Sequence, residues 1–268
     1  MAQSKPVILE LNPPIAQIQL NRPQVHHAIN EEMMDLLDAY TAEVADHPEI
    51  RVGILTATGQ KTFCAGGDLK FFSTLTTRES GLALSRRMQS ILNRIWKGDK
   101  PYIVAINGDA FGGGCEIVTA CHLRIAADHA RFSYRQAANG LITGWGGGVR
   151  LFQLLGPAAL RLLVTAEQIS ATEAVQLGLV DQVVPGDRLL AVAEELAHQI
   201  ASNAPGALAA FLEVFRAAVD GQWTTARAIE TNRFADLWIG DAFRQFLDRF
   251  LNTAPPQSNR EASTRSGK

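Results

Sequence analysis

The chain has 268 residues, of which 47% are apolar and 19% charged, and its formal net charge is −2. That length suits one large domain, or one domain with a smaller helical appendage, and the apolar share supplies a sizeable core. The charge balance gives no electrostatic footprint for nucleic acid or an anionic membrane surface, and no run approaches the roughly 18 apolar residues that span a bilayer.

The first residues, Met1-Ala2-Gln3-Ser4-Lys5-Pro6, contain no apolar stretch of the secretory type. The cysteines are Cys64, Cys115 and Cys121, an odd set without a C-x-x-C pair. They read as reduced thiols, and the expected location is cytoplasmic. Val7–Leu11 and Ile15–Leu20 are β-rich runs around Asn12-Pro13-Pro14 and predict a hairpin. Asn30 is placed to cap a helix with Met33, Leu36, Leu37, Tyr40 and Val44 at helical spacing. Val52–Ala57 has the texture of a buried strand. Leu84, Met88, Ile91, Leu92 and Ile95 mark a helix expected to end at Pro101, and Tyr102–Ile106 and His122–Ala126 predict further strands. This alternation argues an α/β fold with the strands inside.

From about Pro157 the pattern becomes helical. Ser170-Ala171-Thr172-Glu173 is a capping box and Gly178 a stop signal. Leu189, Val192, Leu196 and Ile200 predict one helix, and Leu208, Leu212 and Phe215, begun by Pro205, a second. Ala226 to Leu251 gives one or two more. The tail after Ala254 lacks apolar residues to bury and is expected to be disordered.

Two glycine-rich segments follow strands: Phe63-Cys64-Ala65-Gly66-Gly67-Asp68-Leu69 and Asn107-Gly108-Asp109-Ala110-Phe111-Gly112-Gly113-Gly114-Cys115-Glu116. Neither is a nucleotide loop, because Gly114-Cys115 stands where a P-loop needs Lys-Ser/Thr and no segment completes G-x-G-x-x-G. Glycine lets a ligand approach the backbone. If Gly113 opens a helix, its N–H is an orphan donor strengthened by the helix dipole. Paired with the Gly67 N–H it would form an oxyanion hole, in which each donor contributes about 3 kcal/mol of transition-state stabilisation. The bland alternative is close helix–strand packing.

The first segment resembles the F-x-A-G-x-D-[LI] stretch of the crotonase (enoyl-CoA hydratase/isomerase) family. Ala105 through Glu116 resembles its A-x-x-G-x-x-x-G-G-G-x-E-[LI] stretch. Asn21-Arg22-Pro23 with Ala28 is similar to N-R-P-x-x-x-N-A, and Ser170-Ala171-Thr172-Glu173-Ala174 to Gly178-Leu179-Val180 to A-x-E-A-x-x-x-G-L-[VI]. The resemblance runs from about residue 7 to 251. It implies a β-β-α spiral core over residues 1–200, a helical trimerisation region over 201–253, and a disordered tail over 254–268. It also implies an acyl-CoA thioester as partner, coenzyme A as part of the substrate rather than a cofactor, and a homotrimer or homohexamer. Gly67 and Gly113 would be the hole donors, and Glu116 a catalytic carboxylate. Ala28, Ala65, Gly66, Asp68 and Leu69 would face the CoA, with Gln136 and Trp145 near the acyl group.

Hydratases of this family use a second glutamate in F-x-x-P-E-x-x-x-G-[LI]. Here that segment runs Phe132-Ser133-Tyr134-Arg135-Gln136-Ala137-Ala138-Asn139-Gly140-Leu141, and the position holds Gln136. An amide neither takes nor gives a proton at neutral pH, and such a group contributes about 10²–10⁴-fold. The leading expectation is therefore a lyase that forms the enolate by loss of CO₂, such as an ethylmalonyl- or methylmalonyl-CoA decarboxylase. Gly144-Trp145-Gly146-Gly147 resembles the S-W-G-G loop of such enzymes. The alternatives are an enoyl-CoA hydratase or isomerase of fatty-acid metabolism, or a non-catalytic acyl-CoA or RNA binding module.

Glu116 reads as catalytic or as a structural helix N-terminal acid. Gln136 could bond a water or be a neutral wall. Trp145 is expected to shape the acyl pocket, Asp68 to cap a short helix, and Asp109 to be a surface turn carboxylate. His26 and His27 are expected to be surface loop residues. Phe234, Trp238 and Phe246 are expected in the core or at trimer contacts. No His/Cys/Asp/Glu spacing suggests a metal.

Overall fold

The computed structural model describes residues 5–253; the tail expected to be disordered lies outside them. The hairpin forms as patterned: β1 (Val7–Asn12) pairs antiparallel with β2 (Ile15–Leu20). α1 (Glu31–Asp46) follows, its first turn capped by the Asn30 side chain, which accepts the Met33 N–H at 3.1 Å. Next come β3 (Val52–Ala57), β4 (Thr62–Cys64), α2 (Leu69–Phe72) and α3 (Arg78–Trp96). β5 (Tyr102–Ile106), β6 (Asp109–Phe111) and α4 (Gly113–Val118) form the next turn, and β7 (Leu123–Ala127) and β8 (Arg131–Ser133) begin another. α5 (Gly147–Leu155), α6 (Ala158–Thr165), β9 (Ile169–Ser170), α7 (Ala171–Leu177), β10 (Gln182–Val184) and α8 (Leu189–Ala201) complete the core. α9 (Pro205–Val219), α10 (Trp223–Trp238) and α11 (Asp241–Thr253) extend it.

The strands divide between two sheets, β1-β2-β3-β5-β7-β10 and β4-β6-β8-β9. Each successive pair, β3–β4, β5–β6 and β7–β8, sends one strand to each sheet. All these neighbours are parallel. This is the β-β-α spiral that the resemblance implied. The two faces of β3 show the pleat directly. Val52 and Ile54 meet α8, whereas Leu55 and Ala57 join the larger core with α1 and α3.

Some expectations shift. α3 stops at Trp96, before Pro101, and β7 begins one residue later than expected. In α8 the deepest residues are Leu189, Ala193, Ala197 and Ala201, while Val192, Leu196 and Ile200 flank them half-buried. A face of alanines lets the helix sit closer to the sheet than a leucine stripe allows. Phe234, Trp238 and Phe246 are not core residues: they are 64%, 49% and 50% exposed in the single chain.

Candidate active site

The two glycine segments meet. Gly66 follows β4 with φ +102°, a conformation that side chains rarely adopt. A Cβ there would stand 2.9 Å from the Gly113 nitrogen and 3.1 Å from the Phe111 carbonyl. Gly113 begins α4, and a Cβ on it would collide with the Trp145 indole. Among the described residues, neither the Gly67 nor the Gly113 N–H donates to a protein acceptor. Two unpaired donors thus lie on touching loops. Ala65 and Leu69 beside them are exposed, and Asp68 caps α2 by accepting the Lys70 and Phe71 N–H groups at 3.0 and 3.4 Å. Arg22 ties this loop to its neighbour, donating to the Asp68 carboxylate at 2.9 Å and the Ala28 carbonyl at 2.6 Å.

Glu116 lies one turn into α4 and is 2% exposed. Its Oε1 accepts from Gln136 Nε2 at 3.0 Å and Gly144 N–H at 3.2 Å. Its Oε2 accepts from the Trp145 N–H at 2.7 Å and the Gly147 N–H at 2.9 Å. All four partners are donors, so the ionised form fits the cradle. Burial pushes the carboxyl above the usual carboxylate range, and the four donors pull against that push. The approach of the 144–147 loop depends on Gly147, where a Cβ would collide with the Glu116 side chain. Gln136 therefore touches the carboxylate through its amide N–H, and its Oε1 is buried without a protein partner.

Arg150 is a participant the sequence analysis missed. It is 4% exposed and donates Nη2 to the carbonyls of Trp145 (2.9 Å) and Glu116 (3.1 Å), bracing the loop that holds the carboxylate. Its signal was its place on the inward face of α5 with Gly147 and Leu151. The surface assignment of His27 is corrected: the residue is 1% exposed. Its Nδ1 accepts the Arg22 N–H at 3.0 Å, and its Nε2 donates to the Thr58 carbonyl at 3.1 Å. A histidine in a loop carries no periodicity that would show burial. His26 is exposed as expected. The expectation of a surface turn for Asp109 is corrected: it lies in β6 with its side chain 13% exposed, bound to Arg131 with contacts of 2.9 and 2.5 Å, in a polar depression with Gln60, Lys61 and His129. Among the described residues no cluster of three or more His/Cys/Asp/Glu is placed to hold a metal, and no helix is long and apolar enough to cross a membrane.

Residues 10–260 match the sequence model of the family described as enoyl-CoA hydratase/isomerase. The chain belongs to that family, the crotonases. It is 34% identical over 249 residues to the short-chain-enoyl-CoA hydratase of Clostridium acetobutylicum, covering 91% of this chain and 94% of that one. It is 38% identical over 250 residues to the crotonyl-CoA hydratase of Syntrophomonas wolfei, with the same 91% and 94% coverage. The crystal structure of the enoyl-CoA hydratase from Bacillus anthracis superposes with a TM-score of 0.88 at 30% identity, covering 92% of this chain and 96% of that one. As a crotonase, this chain brings Gly66, Gly67, Gly113, Glu116, Gln136 and Trp145 into one neighbourhood, with Ala28, Ala65, Asp68 and Leu69 on the adjoining loops. Both of these sequence relatives are named as hydratases.

Proposed function

We propose that this crotonase acts on acyl-CoA thioesters and that its reaction is the reversible hydration of a 2-enoyl-CoA. The observation that carries the reading is Glu116, a carboxylate buried at 2% exposure on the same short helix as the Gly113 donor, where burial favours its protonated form. Water adds to C3 of the enoyl group and gives a proton to Glu116. The electron pair moves through C2 to the thioester oxygen, where the Gly67 and Gly113 N–H groups hold the enolate. Glu116 then returns the proton to C2. CoA enters as part of the substrate, and no separate cofactor is required.

Decarboxylation of an ethylmalonyl- or methylmalonyl-CoA is the second reading, favoured by one observation: Gln136 stands where the second acid–base group of a hydratase would be and donates to Glu116. Loss of CO₂ leaves its electron pair as the enolate and needs no base. The hydratase names of the relatives put hydration first. Crotonyl-CoA and ethylmalonyl-CoA, offered to the same preparation, separate the two. Hydration is expected, falling about 10²–10⁴-fold in Glu116→Gln and rising in Gln136→Glu. Release of CO₂ without hydration would install the second reading.

The proposed assembly is a homotrimer or homohexamer. Its support is the exposed aromatic ridge of α10 and α11, where Phe234, Trp238, Phe243, Phe246 and Phe250 follow one another with centroids 4.8–6.2 Å apart. A monomer by analytical ultracentrifugation would sink it.

A further inference from the structure

His27 and its neighbour His26 both stand in the left-handed backbone region, each with φ 54°. That region is costly for a branched or bulky side chain and persists only where the surroundings impose it. Here the turn is held by the His26 N–H on the Pro23 carbonyl at 3.2 Å, by the His27 N–H on the Arg22 carbonyl at 2.9 Å, and by the His27 ring. Both nitrogens are engaged, Nδ1 as acceptor and Nε2 as donor, so the tautomer is fixed and the ring is neutral. A proton on Nδ1 would point at the Arg22 N–H.

The backbone beside the ring holds the loop that carries Gly67. The His26 carbonyl accepts the Ala65 N–H at 3.0 Å, and the His27 carbonyl accepts the Cys64 thiol at 3.3 Å. Ile29 donates to the Gly66 carbonyl at 2.8 Å and accepts the Asp68 N–H at 2.9 Å. Gly67 is thus bracketed on both sides by bonds to residues 26–29, while its own N–H is left unpaired.

We propose that His27 is a positioning residue for the oxyanion hole: its neutral ring fixes residues 26–29, which hold Ala65–Asp68 so that the Gly67 N–H stays aligned with that of Gly113. The proposal rests on the reading of Gly67 and Gly113 as the hole donors. It also makes the hole sensitive to acid. The groups that act on the ring are Arg22 and His26 on its own segment and Thr58 beyond β3, while on the loop packed against that segment the Cys64 thiol bonds the His27 carbonyl and the Asp68 carboxylate bonds the Arg22 guanidinium. Burial holds the His27 pKa below its ordinary value, the Thr58 carbonyl opposes that, and His26 adds to it. At neutral pH the ring is therefore unprotonated; acid protonates it, breaks the Arg22 contact and loosens the segment.

The test uses acetoacetyl-CoA, whose enolate has its own near-ultraviolet band and which reports on the hole without hydration or decarboxylation. Wild type, His27→Leu and His27→Asn are compared, with circular dichroism to check folding. Leucine keeps the bulk and removes both hydrogen bonds. Asparagine carries an acceptor and a donor and tolerates positive φ. The leucine variant is expected to lose the band, with enolate affinity down about 10²-fold, as for a donor displaced by about 1 Å. The asparagine variant is expected to keep it. An unchanged band in folded His27→Leu overturns the proposal. Should His27→Leu fail to fold, the pH profiles decide. The wild-type band should fade below the ordinary histidine pKa of about 6.5 relative to that of His27→Asn, and coincident profiles overturn the idea. Absence of any wild-type band sinks the hole itself. A band that follows His27 in a protein that hydrates no enoyl-CoA leaves this proposal standing and removes only the hydratase reading.

Discussion

Gly66 is the residue with the least room to change. A methyl group there meets backbone atoms at 2.9 and 3.1 Å, and φ +102° opposes any side chain. Gly66→Ala should lower kcat/KM by about 10²-fold or more by parting the two loops. It should also cost about 1–3 kcal/mol of stability in urea unfolding. A variant that is destabilised but fully active would show that the two N–H groups do not act together. Arg150 makes a different point at the same scale. Its donors go to the Trp145 and Glu116 carbonyls and to the Thr119 hydroxyl, so it shapes the Glu116 cradle without a hydrogen bond to the carboxylate itself. The four-donor grip on Glu116 was not legible in the sequence, because three of its donors are backbone N–H groups, and those of Gly144 and Gly147 belong to residues with no side chain to announce them.

Among elements, α7 offers the cleanest measurement. Ser170 Oγ accepts the Glu173 N–H at 3.2 Å, and Glu173 accepts the Ser170 N–H at 2.8 Å. Ser170→Ala should cost about 1 kcal/mol with an unchanged denaturant slope. This cap was readable, as were the Asn30 cap and the strands β3 and β5, because capping chemistry and apolar runs are local signals. The short strands β4, β6 and β8 were not. Three residues give no period, and β4 and β6 run into or sit within the glycine segments, so none of the three announces itself as a strand. The division into two sheets depends on those strands. The spiral therefore came from family resemblance, where the residue patterns alone indicated only alternating strands and helices.

For the whole molecule, His122 links the helical extension to the core. Its ring stacks on Trp96 at 6.0 Å and meets Phe215 of α9 at 6.2 Å, and its Nδ1 accepts the Tyr102 N–H at 3.1 Å. Burial pushes its pKa down to about 4. The unfolded chain binds a proton there near 6.5 while the native chain does not. Stability from this site is therefore complete above about 6.5 and is lost as pH falls toward about 4. Urea midpoints across that window should fall in wild type and fall less in His122→Gln; equal slopes would reject the assignment. The parallel order of β4, β6 and β8 carries a consequence for how such proteins diverge. Gly67, Gly113 and Gln136 each come just after one of these strands, so the reacting groups share a single phase of the winding. Insertions at any other phase, such as the connections on either side of α3, lengthen the chain without displacing them. Substitution at that one phase, as with Gln136, can change the chemistry while the scaffold stays as it is.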